Sequence, residues 1–157
     1  MNISKILVAC RGEIALRITR TCRELGIQTV GVYTTVDKDQ MHLKFCDETV
    51  CIGNRHAYMS IQSIVAAALT SQSDAIHPGY GFLSENAEFA ATAGENNIIF
   101  IGPKSSIIAK MGDKLTAKQI MLAHNIPCVP GSAALTDIAD AVQAAAKIGY
   151  PVINKAS

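Results

Sequence analysis

Short apolar runs alternate with amphipathic segments through the first hundred residues, and this alternation is what most restricts the fold. The run KILVAC at 5–10 is nearly continuous in apolar residues, which is typical of a strand buried on both faces. Further strands are predicted at 28–34, 48–53, 74–79 and 98–102, with helices at 12–25, 60–71 and 84–95. Strands that alternate with helices in this way predict an α/β fold with a doubly wound parallel sheet.

The apolar residues of the predicted helices fall on single faces. The helix at 60–71 matches the amphipathic spacing without a miss, so one of its sides is expected to pack against the sheet. Gly26 occupies the position of a C-terminal cap after the first helix, and Ser84 that of an N-cap. The apolar stripe of the first helix consists of Ile14, Ile18, Cys22 and Leu25.

The pattern changes after Pro103. Two helices, at 105–111 and 114–124, follow one another without a strand between them, and the segment IPCVPG then has the composition of a linker. A helix at 136–148 and a strand that begins in YPVINKAS at 150–157 are predicted to open a second domain. The expected domains are therefore 1–103, a connecting region at 104–131, and 132–157.

Composition excludes several classes of function. The 157 residues carry a formal net charge of +1 and only 5% aromatic residues, which argues against a nucleic-acid-binding or membrane-surface protein. No apolar run approaches the roughly 20 residues that span a bilayer. The first ten residues, MNISKILVAC, lack the long apolar run and cleavage site of a secretory signal. A cytoplasmic location is expected.

The five cysteines are an odd number at irregular spacing with no CxxC pair, which favours reduced thiols over a disulfide framework. His42, Cys46 and Cys51 are close enough in sequence to be considered as metal ligands. Because no fourth ligand stands nearby, buried thiols and a surface histidine are the favoured interpretation, and no metal site is predicted.

The segment AIHPGYGFLSEN at 75–86 is the strongest candidate for a binding site. Ligands of open parallel sheets collect at the carboxyl ends of the strands, and Gly79 and Gly81 allow a sharp turn there. Tyr80 is expected to project into the cleft, although a plain turn with Tyr80 on the surface is an equal alternative. GYGFLS also approaches the GxGxxG dinucleotide pattern, but it follows the fourth strand, so NAD binding is a weak alternative.

Charged residues add two further candidates. Lys155 lies on a predicted apolar strand, where an ammonium group needs a partner such as phosphate oxygens. Lys114, at a helix start, is better explained as a solvated lysine when it is considered alone. On the polar side of the first helix, Arg20 and Glu24 are spaced to form an ion pair beside Arg17, and the alternatives are a solvated face or a subunit interface.

Taken together, these segments resemble a known family. RGEIALR, CDETVCIG, HPGYGFLSEN, FIGP, MGDK, PCVPGS and GYPVINKAS follow one another in order along essentially the whole chain. The sequence is similar to the amino-terminal part of biotin carboxylase, the ATP-dependent component of the acetyl-CoA, propionyl-CoA and pyruvate carboxylases. The resemblance implies a Rossmann-like pre-ATP-grasp domain followed by the first elements of an ATP-grasp domain.

The resemblance also implies roles for individual residues. Lys114 and Lys155 would contact ATP phosphates, and Tyr80 with the Gly81 backbone would line the biotin pocket. Arg17, Arg20 and Glu24 would lie at a dimer interface. The metal-binding carboxylates, the catalytic base and the arginine that holds biotin would lie beyond Ser157, so no catalytic residue is expected within this chain.

In the family reaction, ATP, Mg²⁺ and bicarbonate form carboxyphosphate, and biotin held on a carrier protein is carboxylated. The implied partners are the biotin carboxyl carrier domain and the carboxyltransferase component, with fatty acid biosynthesis as one setting. These 157 residues alone are expected to be inactive. An interaction module without catalytic activity, which pairs with a complete subunit through its first helix, is the alternative.

Two positions depart from the family pattern. Cys10 stands before RGEIA where the family usually has asparagine, and Asn154 stands beside Lys155 where an aliphatic residue is usual. An amide at 154 introduces a polar group into a predicted core strand. Both departures bear on nucleotide affinity rather than on the fold.

Overall fold

A five-stranded sheet, parallel throughout, forms the centre of the N-terminal part of the computed structural model, which describes residues 3–132 and 135–153. The strands are β1 (Lys5–Val8), β2 (Gln28–Tyr33), β3 (Glu48–Cys51), β4 (Ala75–His77) and β5 (Ile99–Phe100). Their order in the sheet is β3-β2-β1-β4-β5. The predicted doubly wound α/β fold is confirmed, with each strand somewhat shorter than the sequence predicts.

The central strand β1 is paired on both edges and covered on both faces. Leu7 is in register with Val30 of β2 on one side and with Ile76 of β4 on the other. Leu7 faces one apolar cluster and Val8 faces another, and both side chains are fully buried. This two-sided burial is why the strand reads as a continuous apolar run rather than an alternating one.

Helix α1 (Gly12–Glu24) covers one face of the sheet. Its buried residues are Ala15, Thr19 and Cys22, and Ala15 and Cys22 pack in the same cluster as Val8. The predicted stripe is wrong at its last position, because Leu25 is 68% exposed. Leu25 is the C-terminal cap residue, and the helical face has already turned away from the sheet where the helix ends.

Helices α2 (Ile61–Thr70) and α3 (Ala87–Glu95) cover the opposite face. Ser60 caps α2 by accepting a hydrogen bond from the Ser63 N–H at 3.2 Å. The prediction that Ser84 caps the next helix is wrong. Asn86 is the cap, with its Oδ1 accepting from the Phe89 N–H at 2.8 Å, because Ser84 still belongs to the preceding turn.

A short 3₁₀ helix, Met41–Phe45, connects β2 to β3 and packs on α1. Its close approach depends on Gly31 in β2. A Cβ atom at Gly31 would lie 2.7 Å from the Cys46 sulfur and 3.2 Å from a Leu43 methyl group. Glycine at this position therefore provides space for the connection rather than a special backbone angle.

Two carboxylates fix the amino ends of the strands. Asp74 Oδ2 accepts hydrogen bonds from the Ser4 and Lys5 N–H groups, at 2.7 and 2.9 Å. Asp47 Oδ2 accepts from the Thr29 N–H at 2.7 Å and from its hydroxyl at 2.9 Å. These bonds lower the pKa values of both carboxyl groups, so both stay ionised at neutral pH. The hydrogen bonds of Asp74 and Asp47 lie at the edge of the sheet opposite to the predicted binding site.

The chain divides into two compact units, 1–108 and 109–157. Helix α4 (Ser105–Gly112) ends in the second unit, which also contains α5 (Lys114–Ala123) and α6 (Ile138–Ile148). The predicted domain bounds of 1–103, 104–131 and 132–157 stay a prediction. The side of α6 that carries Ile138 and Val142 is exposed.

The strand predicted to begin at 150 is not formed over its described residues. The segment 150–153 has no strand assignment, and the Ile153 side chain is 85% exposed. A strand depends on pairing with a neighbour, and an apolar residue as exposed as this has none against it. The rest of the predicted strand, 154–157, lies outside the described residues.

The prediction of a surface histidine at position 42 is wrong, because His42 is only 1% exposed. Neither imidazole nitrogen has a hydrogen-bond partner among the residues that the structure describes. Burial lowers the pKa of His42, and the nearby Val32 carbonyl and Asp37 oppose this lowering only in part. The cysteines also differ from prediction, since Cys51 is exposed, although all five thiols are free.

We predict that His42 makes the protein less stable as the pH falls below about 6.5, the ordinary histidine pKa. The unfolded chain takes up a proton there that the folded protein resists, so the free energy of unfolding decreases with falling pH. His42→Leu removes this proton uptake and should flatten the decrease between pH 7.5 and 5.5. Urea unfolding at several pH values measures the effect.

The exposed His124 provides the control for this measurement, because His124→Leu removes a histidine without touching the buried site. In the control variant, the free energy of unfolding should decrease with falling pH by the same slope as in the unmodified chain. A slope that is unchanged in His42→Leu would contradict the prediction.

Candidate functional site

The turn that follows β4 holds Tyr80 out into solvent. Gly79 and Gly81 have φ angles of +70° and +81°, in the left-handed region that favours glycine. Between them the Tyr80 side chain is 77% exposed. The imidazole Nδ1 of His77, at the end of β4, accepts a hydrogen bond from the Gly79 N–H at 3.0 Å and fixes the start of the turn. The turn therefore presents a phenol and backbone groups at the carboxyl edge of the sheet.

Cys10 lies directly beneath this turn. A Cβ atom on Gly79 would lie 2.4 Å from the Cys10 Cβ and 2.5 Å from its sulfur, so only glycine fits above Cys10. The thiol is 2% exposed, and burial, aided by the charges of Cys46 and Glu13, raises its pKa to about 12. Cys10 is a packing residue without a reactive thiolate.

The residue after the turn, Phe82, joins it to the rest of the carboxyl edge. Its ring stacks on the buried Tyr58 ring, with centroids 4.9 Å apart and an angle of 18° between the planes. The Arg11 guanidinium, from the loop after β1, lies 5.8 Å from both ring centroids. Loops that follow different strands thus meet through one aromatic pair.

Asp37, just after β2, supports this cluster from below. Its carboxylate accepts hydrogen bonds from the Thr34 N–H, from the Thr34 hydroxyl at 2.7 Å and from the Tyr58 hydroxyl at 3.0 Å. Burial alone would raise the pKa of Asp37, but these bonds and the Arg11 charge outweigh it, and the pKa is lowered. Burial, together with the hydrogen bond and charge of Asp37, raises the pKa of Tyr58. The pair is an ionised carboxylate and a neutral phenol.

Lys114 and Lys155 are the two lysines predicted to contact ATP phosphates. Lys114 is exposed and is the first residue of α5, after Asp113, whose carboxylate caps the helix by accepting from the Thr116 N–H at 2.6 Å. Lys155 lies outside the described residues, as does Asn154. The expectation that Tyr80 and Lys155 face one cleft therefore stays a prediction.

The predicted interface residues lie on the outer side of α1. Arg17, Arg20 and Glu24 are all exposed. The ion pair predicted between Arg20 and Glu24 is not formed, as expected for long exposed side chains that gain little from pairing in water. Their role at a subunit interface stays a prediction.

Sequence reasoning missed most of the cluster behind the turn. Arg11, Asp37, Tyr58 and Phe82 lie in the connections after four different strands, and the sequence shows no spacing that links them. The signal that could have found them is their position in the fold. Arg11 and Asp37 follow β1 and β2, at the edge where ligands of parallel sheets bind.

Metal-ligand groups and membrane-spanning helices are both absent from the residues that the structure describes. In the described ranges, no three His, Cys, Asp or Glu side chains are grouped as ligands of a metal ion would be. Within the same part of the chain, no helix combines the length and apolar character that crossing a bilayer demands.

Comparison with known proteins now decides the family. The family described as the N-terminal domain of biotin carboxylase matches residues 2–108. The chain belongs to the biotin carboxylase family. The family described as the ATP-binding domain of the carbamoyl-phosphate synthase L chain matches residues 113–157. The resemblance seen in the sequence is therefore confirmed, and the second match covers the segment predicted to open an ATP-grasp domain.

The individual relatives reported below are also biotin carboxylases or biotin carboxylase domains. The biotin carboxylase of Nostoc sp. is 50% identical over 161 residues, which cover 100% of this chain and 36% of the relative. The biotin carboxylase of Campylobacter jejuni, solved with β,γ-ATP, superposes with a TM-score of 0.91 at 45% identity, covering 96% of this chain and 34% of that one.

A third relative is the biotin carboxylase domain of the 2-oxoglutarate carboxylase of Hydrogenobacter thermophilus, solved as a dimer with MgADP, ADP and bicarbonate. It superposes with a TM-score of 0.88 at 44% identity and with 96% of this chain covered. The chain spans about a third of the length of the relatives it matches.

The contact between Gly79 and Cys10 predicts a difference between two glycine substitutions. Gly79→Ala combines left-handed backbone strain with overlap on Cys10 and should reduce the free energy of unfolding by at least about 3 kcal/mol. Gly81→Ala adds a methyl group with nothing within 4 Å and should cost about 1–2 kcal/mol from strain alone. Urea unfolding measures both, and equal losses would contradict the assigned contact.

Proposed function

We propose that this chain supplies the N-terminal, biotin-facing part of an ATP-dependent biotin carboxylase. The observation that carries the proposal is the exposed Tyr80 between two left-handed glycines, on a chain of this family. The complete reaction would phosphorylate bicarbonate with ATP and transfer the carboxyl group to biotin. The residues that carry out the chemistry are expected in the part of the relatives' length that this chain does not span.

In this proposal Tyr80 and Gly81 bind and orient the ureido ring of biotin. An exposed phenol offers a flat apolar surface and one polar hydroxyl, which suits a small bicyclic urea. Gly81 has no side chain to obstruct the ring, and a Cβ atom there would meet nothing within 4 Å. The fixed turn supplies orientation without rearrangement, since His77 and Cys10 already hold its backbone.

The phosphate contacts are proposed for Lys114 and Lys155. Negative charge develops on the oxygens of a phosphoryl group in transfer, and an ammonium group placed near them stabilises that charge. Lys114 is exposed at its helix start and has no competing ion pair with a described residue. The relatives solved with β,γ-ATP and with MgADP and bicarbonate support ATP, Mg²⁺ and bicarbonate as ligands of the complete protein.

The experiment uses a chimera in which this chain replaces the matching N-terminal third of the Nostoc biotin carboxylase. We predict bicarbonate-dependent ATP hydrolysis that requires biotin in the chimera and none in the 157-residue chain alone. Tyr80→Ala in the chimera should raise the KM for free biotin at least about tenfold, since it removes the aromatic surface. The KM for ATP should change little.

Tyr150→Ala is the matched control, because Tyr150 is also exposed but lies in the second unit. It should leave the KM for biotin unchanged. A folded chimera without biotin-dependent activity would contradict the proposed function. An active chimera in which Tyr80→Ala leaves the KM for biotin unchanged would contradict the role of Tyr80 alone.

The proposed partners follow from the same assignment. A carrier protein or domain would bring biotin to Tyr80, and a carboxyltransferase component would use the carboxylated product in the cytoplasm, with acetyl-CoA carboxylation for fatty acid synthesis as one case. The exposed Arg17, Arg20 and Glu24 would contact a second subunit. Sedimentation of the chimera tests this contact, and a monomer would contradict it.

A further inference from the structure

A cavity of about 250 Å³ opens at the carboxyl edge of the sheet, and Phe82 of the Tyr80 turn lines it while Tyr80 itself does not. Its walls come from the loops after β1, β2, β3 and β4, all within the first unit. The residues that matter for its chemistry are Arg11, Asp37, Arg55, His56, Tyr58 and Phe82.

Positive charge dominates the rim of this cavity. The guanidinium groups of Arg11 and Arg55 reach it from two different loops, and the His56 imidazole lies next to Arg55. Arg55 Nε donates a hydrogen bond to His56 Nε2 at 3.0 Å. Nε2 therefore accepts, and the neutral ring carries its proton on Nδ1, where it can donate. The remaining N–H groups of the two guanidiniums are donors as well.

The single carboxylate of the cavity does not cancel this charge for a ligand. Asp37 is 6% exposed, and its oxygens already accept from Thr34 and Tyr58. The Asp37 carboxylate thus lies at the floor of the cavity and neutralises the positive charge of one arginine. The positive charge of the second arginine is not balanced by it. A ligand that enters would meet arginine N–H groups first and the edges of the Tyr58 and Phe82 rings second.

We propose that this cavity binds a small tetrahedral oxyanion, a phosphate group, between the Arg11 and Arg55 guanidiniums. Two guanidinium groups present paired N–H donors in the geometry that phosphate oxygens match, and the volume suits a ligand below the size of a nucleotide. Nothing in the proposed biotin carboxylase reaction uses these residues, so the site goes beyond that function.

Binding of phosphate in the cavity would affect the Tyr80 turn through Phe82. Phe82 lines the cavity, stacks on Tyr58 and follows Gly81 directly in the chain. Its backbone is itself in the left-handed region, with φ of +45°, so the turn depends on side-chain contacts to keep this conformation. An anion that fixes Arg11 against the rings strengthens those contacts and makes the turn more rigid.

The test is a titration of the ¹⁵N-labelled 157-residue chain with sodium phosphate at constant ionic strength, followed by NMR of backbone amides. We expect saturable shifts at Arg11, Arg55, His56 and Phe82, followed by smaller ones at Gly79 and Gly81. Arg55→Gln should weaken phosphate binding about tenfold, because it removes one guanidinium group at an exposed position without harm to the core.

Lys104→Gln is the control, since it removes the same charge from an exposed position outside the cavity, and it should leave the affinity unchanged. Arg11→Gln provides a second variant in another loop of the cavity and should weaken binding to a similar extent. Absent or non-saturating shifts, or equal weakening by Lys104→Gln, would overturn the proposal. Sodium acetate, a planar monoanion, should bind more weakly, and equal binding would overturn the assignment to phosphate.

Discussion

The structure depends on the parallel pairing of one strand, β1, with neighbours on both sides. Leu7 and Val8 are fully buried on opposite faces, and β2 and β4 satisfy the backbone hydrogen bonds at the two edges of the strand. Because the strands run in the same direction, their carboxyl ends meet at one edge of the sheet. The registers between β1 and its neighbours therefore determine which loops can touch.

The chemistry of the first unit follows from this arrangement. Arg11 leaves β1, Asp37 follows β2, and the glycine turn follows β4, so three loops that are distant in sequence share one edge. Their contacts are specific: Cys10 excludes any side chain at Gly79, and Phe82 stacks on Tyr58 over the hydrogen-bonded Asp37. The opposite edge is held by Asp74 and Asp47, whose hydrogen bonds serve the fold alone.

Much of this arrangement could be predicted from sequence, because its signals are local. The apolar run at β1, the helical spacing of α2 and the paired glycines around Tyr80 each lie within a dozen residues. Errors arose where a neighbour decided the outcome. Leu25 fits the α1 stripe but is exposed at the end of the helix. Ser84 has the right chemistry for a cap, but Asn86, two residues later, provides it.

The cluster behind the turn could not be predicted for a related reason. Nothing in the sequence around Asp37 or Arg55 distinguishes them from solvated loop residues. Their proximity arises only after β3 aligns beside β2 in the sheet. His42 shows the same limit in the other direction, since a histidine in the polar connection after β2 is expected to be exposed and is instead buried where this connection packs on α1 and β2.

Native-state hydrogen exchange tests the central role of β1 most directly. Amides that open only when the whole domain unfolds exchange with the free energy of global unfolding. We expect the amides of Ile6, Leu7 and Val8 to be among the slowest to exchange. Their exchange free energy should equal the free energy of unfolding measured in urea. Exchange of these amides through local opening, faster than the amides of α2, would contradict it.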